Sequence, residues 1–140
     1  MPVLAVIDTN VIISVLLTRN RESATYRVLQ AVLDGRITPL YHLEILAEYK
    51  EVAHRPKFHI HEEDIDVILE AIETFGIEVQ PSPTGEIIPD MDDLIFYEVV
   101  MEKREDDAYL VTGNIRHFPA KKFIVTPAEM MAIIDAVEFA

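Results

Sequence analysis

Short apolar runs alternate along this chain with longer segments in which apolar residues recur at the spacing of a helix face. The short runs predict strands at residues 3–7, 36–40, 77–79, 108–111 and 123–125. The longer segments predict helices at residues 10–17, 23–33, 42–53, 62–74 and 92–103, and Pro127 is suited to open a last one. Strands without polar alternation are typical of sheets buried on both faces. The pattern therefore predicts an α/β fold in which helices cover both sides of a parallel sheet.

The composition indicates a globular domain rather than a disordered or disulfide-linked chain. With 140 residues, half of them hydrophobic, we expect residues 1–140 to form a single domain with its own core. There is no cysteine, which excludes disulfides, thiolate nucleophiles and zinc–cysteine sites. The amino terminus shows no basic leader, and no apolar run approaches the length of a membrane span. We therefore expect a soluble cytoplasmic protein without a membrane partner.

The formal net charge of −13 restricts the kinds of partner that the surface can bind. The chain has 25 aspartate and glutamate residues against 12 lysine and arginine residues. Non-specific binding to a polynucleotide relies on contacts between basic side chains and phosphates, so this charge argues against it. The charge is compatible with an enzyme that gathers carboxylates around cations, and also with a surface that binds a basic partner.

Two polar segments directly follow predicted strands. Asp8 comes after the first strand, and Thr112 to Asn114 follow the strand at 108–111. In open parallel sheets, ligands bind beyond the carboxyl ends of the strands, so both segments are candidate site residues. Each has a structural alternative, because Asp8 or Asn10 could cap the first helix and residues 112–114 could form a simple turn. The residues alone leave these alternatives open.

Further acids lie on or beside helices that carry an apolar face. Among the glutamates of the third predicted helix, Glu48 lies closest to the apolar stripe, although a solvated position is the simpler interpretation. Asp93 lies at the start of a strongly apolar helix, in line with its core-facing side, and it could cap that helix, with Asp90 and Asp92 as rival caps. Like charges so close repel each other unless a counterion is present. A cation site would explain the three aspartates, while an exposed acidic helix start would also be favourable.

Carboxylates from separate segments could together hold one or two divalent cations. Mg²⁺ and Mn²⁺ prefer oxygen ligands. Such ions lower the pKa of an attacking water and neutralise charge on a phosphate and its departing oxygen. This chemistry needs no cysteine or serine nucleophile, which fits a chain without cysteine. The acidic residues therefore favour metal-dependent chemistry on a phosphate group.

Five segments resemble, in order and at suitable spacing, the motifs of PIN domains, and in particular those of one group of toxins. Residues 7–14 resemble the first motif, 46–52 with 55–58 the second, 89–96 the third, 110–114 the fourth, and 125–127 the closing element of that group. The match covers nearly the whole chain. The ordered set is more specific than any single motif.

The resemblance implies a three-layer α/β/α fold around a central parallel sheet, and Mg²⁺- or Mn²⁺-dependent cleavage of RNA. It also implies a homodimer and, for a toxin, an antitoxin protein as partner. Carried over by position, Asp8, Glu48 and Asp93 would be the catalytic, metal-binding acids. Asn114 would be a metal ligand at a position where most of the family has an acid. Its amide oxygen brings no negative charge, so a second ion should bind more weakly.

Three polar residues are expected to support these ligands. Asn10 and Thr112 would orient ligands or water by hydrogen bonds, and Asp90 would contribute through a water. His117 follows Asn114 closely enough to reach the site, but a turn residue is the favoured interpretation. Candidate RNA contacts on loops are Arg19, Arg21, Arg55, Lys57 and Arg116.

Three functions are compatible with these residues. The leading hypothesis is an endoribonuclease, the toxin of a toxin–antitoxin pair, which hydrolyses RNA phosphodiester bonds with metal-activated water. A non-catalytic module that binds a cation or a partner is the alternative, which Asn114 keeps open. A phosphatase with Asp8 as covalent nucleophile is less favoured, because that chemistry usually has a second acid two residues on, where this chain has Asn10.

Overall fold

The computed structural model describes residues 2–138. These residues fold around one parallel sheet. Its five strands are β1 (Val3–Ile7), β2 (Ile37–Tyr41), β3 (Ile77–Glu78), β4 (Tyr109–Val111) and β5 (Ile124–Val125). They lie in the order β3-β2-β1-β4-β5, and every neighbouring pair is parallel. The α/β fold predicted from the sequence, a three-layer α/β/α arrangement around a central parallel sheet, is confirmed.

Six α-helices flank the sheet in the described part of the chain. They are α1 (Thr9–Leu17), α2 (Ala24–Leu33), α3 (Leu43–Ala53), α4 (Glu62–Phe75), α5 (Leu94–Glu102) and α6 (Pro127–Glu138). Short 3-10 helices lie at Pro56–Phe58, Met91–Asp93, Arg104–Asp106 and Ile115–His117. No helix within residues 2–138 combines the length and the apolar character that crossing a membrane requires.

The sheet order places a crevice at the carboxyl end of β1. The chain goes from β1 to β2 on one side, and β4 later pairs with the other side of β1. The strand order therefore reverses at β1, so that the connections leave in opposite directions. In open α/β sheets, ligands bind at the carboxyl ends of the strands where the order reverses in this way. The Asp8 N–H donates to the Val111 carbonyl at 2.9 Å, so the two chain segments stay side by side beyond the strands.

The main core surrounds β1, in which Ala5, Val6 and Ile7 are buried. Fully buried Tyr49 and Phe96 from α3 and α5 are among its largest side chains. In α6, Met130, Met131 and Ile134 are buried, so one apolar face of the last helix lies in the core. A second, smaller cluster consists of Ile13, Ala53 and Ile65, with Val52 and Phe58 packed against it. This small cluster lies beside the pocket described below.

Several predicted element bounds were wrong by one or two residues. The most consequential case is the helix predicted to start at Asp92, because α5 begins only at Leu94. Met91–Asp93 form a 3-10 turn instead, closed by donation from the Asp93 N–H to the Asp90 carbonyl at 3.0 Å. The third strand ends at Glu78 rather than Val79, although the Val79 N–H still donates to the Tyr41 carbonyl at 2.7 Å.

Local capping explains why α6 starts where the sequence predicts. The Thr126 N–H donates to the Glu129 carboxylate at 2.9 Å, and the Glu129 N–H donates to the Thr126 hydroxyl at 3.1 Å. This reciprocal pair is a capping box, and Pro127 occupies the first turn, where a missing N–H costs little. The last helix is therefore held at its start by its own sequence.

Gly76 joins α4 to β3 in a space that admits no side chain. A Cβ atom there would lie 2.6 Å from the Pro39 carbonyl oxygen and closer still to that of Ile72. We expect Gly76→Ala to lower the free energy of unfolding by about 1–3 kcal/mol, because backbone atoms must shift. Urea denaturation followed by circular dichroism measures this.

Gly35→Ala is the matched control for that substitution. Gly35 has a φ of +78°, but no described atom lies within 4 Å of where its Cβ would be. Gly35→Ala should therefore lower the free energy of unfolding only by the cost of backbone strain, which is about 1 kcal/mol. If Gly76→Ala were no more destabilising than Gly35→Ala, the close approach at Gly76 would not limit stability.

Candidate active site

A pocket of about 420 Å³ opens at the carboxyl edge of the sheet, beside the end of β1. Its lining combines acids, amides and apolar side chains from segments far apart in the sequence. The lining residues are Asp8, Thr9, Asn10, Ile13, Ser14, Glu48, Val52, Phe58, Asp90, Asp93, Asn114 and His117. Of the seven residues that the sequence assigned as metal ligands or their supports, six line this pocket, and the seventh, Thr112, donates to Asp8 from outside it. Other candidates do not line it, namely Asp92, Gly113 and the possible RNA contacts Arg19, Arg21, Arg55, Lys57 and Arg116. The structure therefore brings the predicted set together, while the chemical role of each member stays a prediction.

Asp8 is the buried acid of the pocket, with a relative exposure of 5%. Its carboxylate accepts hydrogen bonds from the Thr112 hydroxyl at 2.7 Å and from the Thr9 N–H at 2.8 Å. The bond from Thr9 means that Asp8 also caps α1, so the structural and functional interpretations of this residue both hold geometrically. Burial raises the pKa of Asp8, and its hydrogen bonds oppose that rise only in part. The Glu48 carboxylate raises this pKa further.

Glu48 reaches the pocket from α3. Its carboxylate accepts a hydrogen bond from the Thr9 hydroxyl, which ties α3 to the first turn of α1. The next residue, Tyr49, is fully buried and donates its hydroxyl proton to the Ile7 carbonyl at the end of β1. Burial raises the pKa of Glu48, and the charge of Asp93 adds to the rise. Glu48 is therefore not the freely solvated glutamate that its position on the helix first favoured.

Asp93 lies in the 3-10 turn that precedes α5, with its side chain 16% exposed. Within the described residues its carboxylate caps no backbone N–H, whereas Asp90 accepts from the Asp92 N–H at 3.0 Å. The capping role thus belongs to Asp90, and the Asp93 carboxylate faces His117 Nδ1 at 3.5 Å. Burial raises the pKa of Asp93 to about 6, with further contributions from the charges of Asp8 and Asp90.

A hydrogen-bond network joins the loops that follow β1 and β4. The Thr112 hydroxyl donates to Asp8 and accepts from the Asn114 N–H at 2.9 Å. The Gly113 N–H donates to the Asn10 side-chain oxygen at 3.1 Å, and the Asn10 amide approaches Asp8 at 3.4 Å. The predicted supporting residues Asn10 and Thr112 therefore fix both the Asp8 carboxylate and the backbone of Asn114.

The sequence interpretation undervalued three pocket residues. The sequence pattern does not single out Thr9, yet its side chain connects Glu48 to α1. His117 was interpreted as a turn residue, but it lines the pocket and contacts Asp93. Phe58 was quoted only within a motif, and it forms part of an apolar wall. The available signals were weak, since they consisted of a hydroxyl beside Asp8 and a histidine three residues after Asn114.

The donor set of the pocket has the chemistry that a divalent cation requires. Asp8, Glu48, Asp93 and Asp90 offer carboxylate oxygens, and Asn114 offers an amide oxygen. Among residues 2–138, however, no group of three histidine, cysteine or acidic side chains is already arranged to hold a metal ion. The residues therefore fit a cation by their type, their shared pocket and their mutual repulsion, and their side chains would have to move closer together to form a ligand shell.

Burial of the Asp93 carboxylate, together with repulsion from neighbouring acids, should make the stability of the fold depend on pH. An acid whose pKa rises from 3.8 to about 6 on folding binds its proton more tightly in the folded state. It therefore stabilises the fold below 3.8, and this contribution is lost as the pH rises through about 6. Asp93→Asn should remove part of this loss and raise the free energy of unfolding at neutral pH by about 1 kcal/mol.

Urea titrations across this pH range, without divalent cations, measure the effect. Asp92→Asn is the matched control, because Asp92 is exposed and does not line the pocket. The interpretation fails if the two variants show the same dependence on pH.

Comparison with known proteins agrees with this geometry. The model of one family, described as the PIN domain, matches residues 4–116, which include every acid and amide that lines the pocket. No curated protein and no solved structure matches the chain. The family match covers most of the described fold, from β1 to the 3-10 helix after β4. This chain therefore belongs to the PIN-domain family.

Proposed function

We propose that this protein is an endoribonuclease that depends on Mg²⁺ or Mn²⁺ and uses the pocket at the end of β1. One observation carries the proposal: carboxylates from three separate segments, Asp8, Glu48 and Asp93, line one pocket in which burial and repulsion raise the pKa of each. Such an arrangement costs free energy unless a cation neutralises it. Membership of the PIN family supports a nuclease as the class of enzyme.

Each pocket residue has a distinct part in this proposal. Asp8, Glu48 and Asp93 would hold the cation, and Asn114 would complete the oxygen shell. When bound, the cation would activate a water for attack and neutralise charge on the scissile phosphate. Thr112 holds the Asp8 carboxylate from behind, and Thr9 holds that of Glu48. These hydroxyl groups set the direction in which the two carboxylates present their free oxygens.

In this proposal, His117 would act on the substrate. Its side chain is 48% exposed, and it lies at the pocket beside Asp93. A ring N–H of this histidine can donate a hydrogen bond to a phosphate oxygen. In a protein with net charge −13, a local donor of this kind would offset part of the repulsion between the pocket and RNA.

We further propose that the biological role is that of a toxin, in a single-domain cytoplasmic protein that forms a homodimer and pairs with an antitoxin. The order of the five motifs supports this role, and the acidic surface suits a basic antitoxin segment. Growth arrest on expression, relieved by a neighbouring gene product that copurifies with the chain, would be the supporting result. Expression without any effect on growth would contradict the toxin role while leaving ribonuclease activity to its own test.

Asn114 favours a second candidate function, a module that binds a cation or a partner without turnover. It lines the pocket where an acid would complete a more negative ligand set. The aspartate-nucleophile phosphatase receives no such support. Asn10, which stands where that chemistry needs a second acid, uses its side chain to hold Gly113 and Asp8 instead.

Asp93→Asn should abolish metal-dependent cleavage, because it removes a charged ligand while keeping the size of the side chain. We expect cleavage of a mixed RNA substrate in Mn²⁺ to fall about 100-fold or more, which corresponds to ~2.7 kcal/mol in the barrier. Gel assays of labelled RNA with Mn²⁺, Mg²⁺ or a chelator measure this.

Asp92→Asn, one residue earlier and outside the pocket, should retain the cleavage rate of the unaltered protein. Equal losses in both variants would indicate a general effect of the acidic turn. If folded protein cleaves no RNA with either ion, the enzymatic proposal is wrong and the binding module becomes the preferred function.

Asn114→Asp tests the departure from the usual acidic set. An added carboxylate should tighten Mn²⁺ binding about tenfold, because ligand charge tunes the affinity of such sites. Calorimetry with Mn²⁺ measures the affinity, and the RNA assay measures the rate. A variant that gains cleavage from an inactive parent would support the binding module. A parent that is already active, with a modest gain in the variant, supports the nuclease.

A further inference from the structure

The candidate active site extends beyond its acids into an apolar wall. Ile13, Val52 and Phe58 line the same pocket as the carboxylates. The cavity of about 420 Å³ lies in the range of about 300–1,000 Å³ that is typical of sites for small organic groups. A cation and one phosphate do not need an apolar surface, so we expect the wall to contact another part of the substrate.

The two halves of the pocket follow from the spacing of residues on two helices. On α1, Ile13 stands four residues after Thr9, and on α3, Val52 stands four residues after Glu48. Residues four apart lie on the same helix face about 6 Å from one another. The apolar wall thus lies about one helical turn beyond the polar end of the pocket.

The side chains of the apolar wall pack against the small core cluster. Ile13 belongs to the small core cluster with Ala53 and Ile65, and Val52 and Phe58 pack against that cluster. Phe58 ends the 3-10 helix Pro56–Phe58, and its ring is only partly buried. The exposed Lys57 places its ammonium group 5.0 Å from the centre of that ring. The wall is therefore an apolar surface that packs on the core and includes an aromatic ring with a cation near it.

We propose that this wall receives a nucleobase of the RNA substrate, with Phe58 as the stacking surface beside the scissile phosphate. The proposal rests on the proposed ribonuclease function and assigns a specificity-determining residue to it. A nucleobase is flat, uncharged and partly apolar, so it suits a wall of Ile13, Val52 and Phe58, whereas a phosphate does not. Stacking on aromatic side chains is also a contact that every base can make.

The charge of the protein strengthens this inference. Proteins that bind RNA through phosphates need many basic side chains, and this chain has a net charge of −13. Stacking supplies affinity without adding positive charge. Lys57, already at the ring, adds one local cation next to the bound nucleotide. A base that stacks on Phe58 must leave its helical stack, so the substrate must be unpaired at that position.

A short single-stranded oligoribonucleotide with one 2-aminopurine tests the proposal, because the fluorescence of this base falls when it stacks. Binding is measured with Ca²⁺ in place of Mn²⁺, so that the result does not rely on turnover. We expect the base at one position to be quenched on binding. An abasic nucleotide at that position should raise the Kd about tenfold.

Phe58→Leu should raise the Kd for the intact oligonucleotide about tenfold and remove the quenching. It keeps an apolar side chain against the small cluster, so the fold should be retained. Phe58→Tyr keeps an aromatic ring and should stay within about twofold of the parent. Phe75→Leu is the matched control, since Phe75 is 46% exposed at the end of α4 and does not line the pocket.

Combining Phe58→Leu with the abasic oligonucleotide distinguishes a base subsite from a general loss of structure. If Phe58 binds the base, the abasic substitution should have little further effect in Phe58→Leu, so the two losses do not add. Additive losses, or unchanged quenching in Phe58→Leu, would overturn the proposal. The ribonuclease function is judged separately, from cleavage by the parent protein in Mn²⁺. Cleavage with no dependence on Phe58 or on the base would reject the base subsite alone.

Discussion

The site depends on the buried carboxylate of Asp8. In the described part of the chain, no basic side chain lies within hydrogen-bond distance of this carboxylate. Asp8 lies at the end of the central strand, where the Thr112 hydroxyl and the Thr9 N–H bind its oxygens. These neutral donors offset only part of the cost of burial, and its pKa stays raised. The remaining cost is typical of a group whose charge is needed for function, since functional sites often retain perturbed ionisable groups.

The order of the sheet explains why the other site residues meet Asp8. Because β1 pairs with β2 on one side and β4 on the other, the loop after β4 comes directly beside the start of α1. Glu48 enters from the helix after β2, and Asp93 enters from the turn before α5. The acids are thus brought together by strand pairing in the core rather than by attraction for one another.

Much of the fold was predictable, because apolar strands and amphipathic helices leave periodic patterns that do not depend on distant contacts. Asp8 was predictable as well, since its position follows from the end of β1. The start of α5 was not, because three aspartates compete to cap it and only the 3-10 turn decides among them. The contacts of His117 with Asp93 and of Phe58 with the small core cluster depend on tertiary packing, and the sequence indicates only that His117 follows Asn114 closely enough to reach the site.

The hydrogen bond from the Tyr49 hydroxyl to the Ile7 carbonyl limits how the pocket could change over evolution. Neighbouring residues on a helix point about 100° apart, so a tyrosine anchored in the core also sets the direction of Glu48. The orientation of α3 is therefore fixed by a buried side chain that never meets the substrate. Val52, the apolar residue that faces the cavity from α3, could therefore change without turning the helix, whereas loss of the tyrosine hydroxyl would alter the positions of Glu48 and Val52 together.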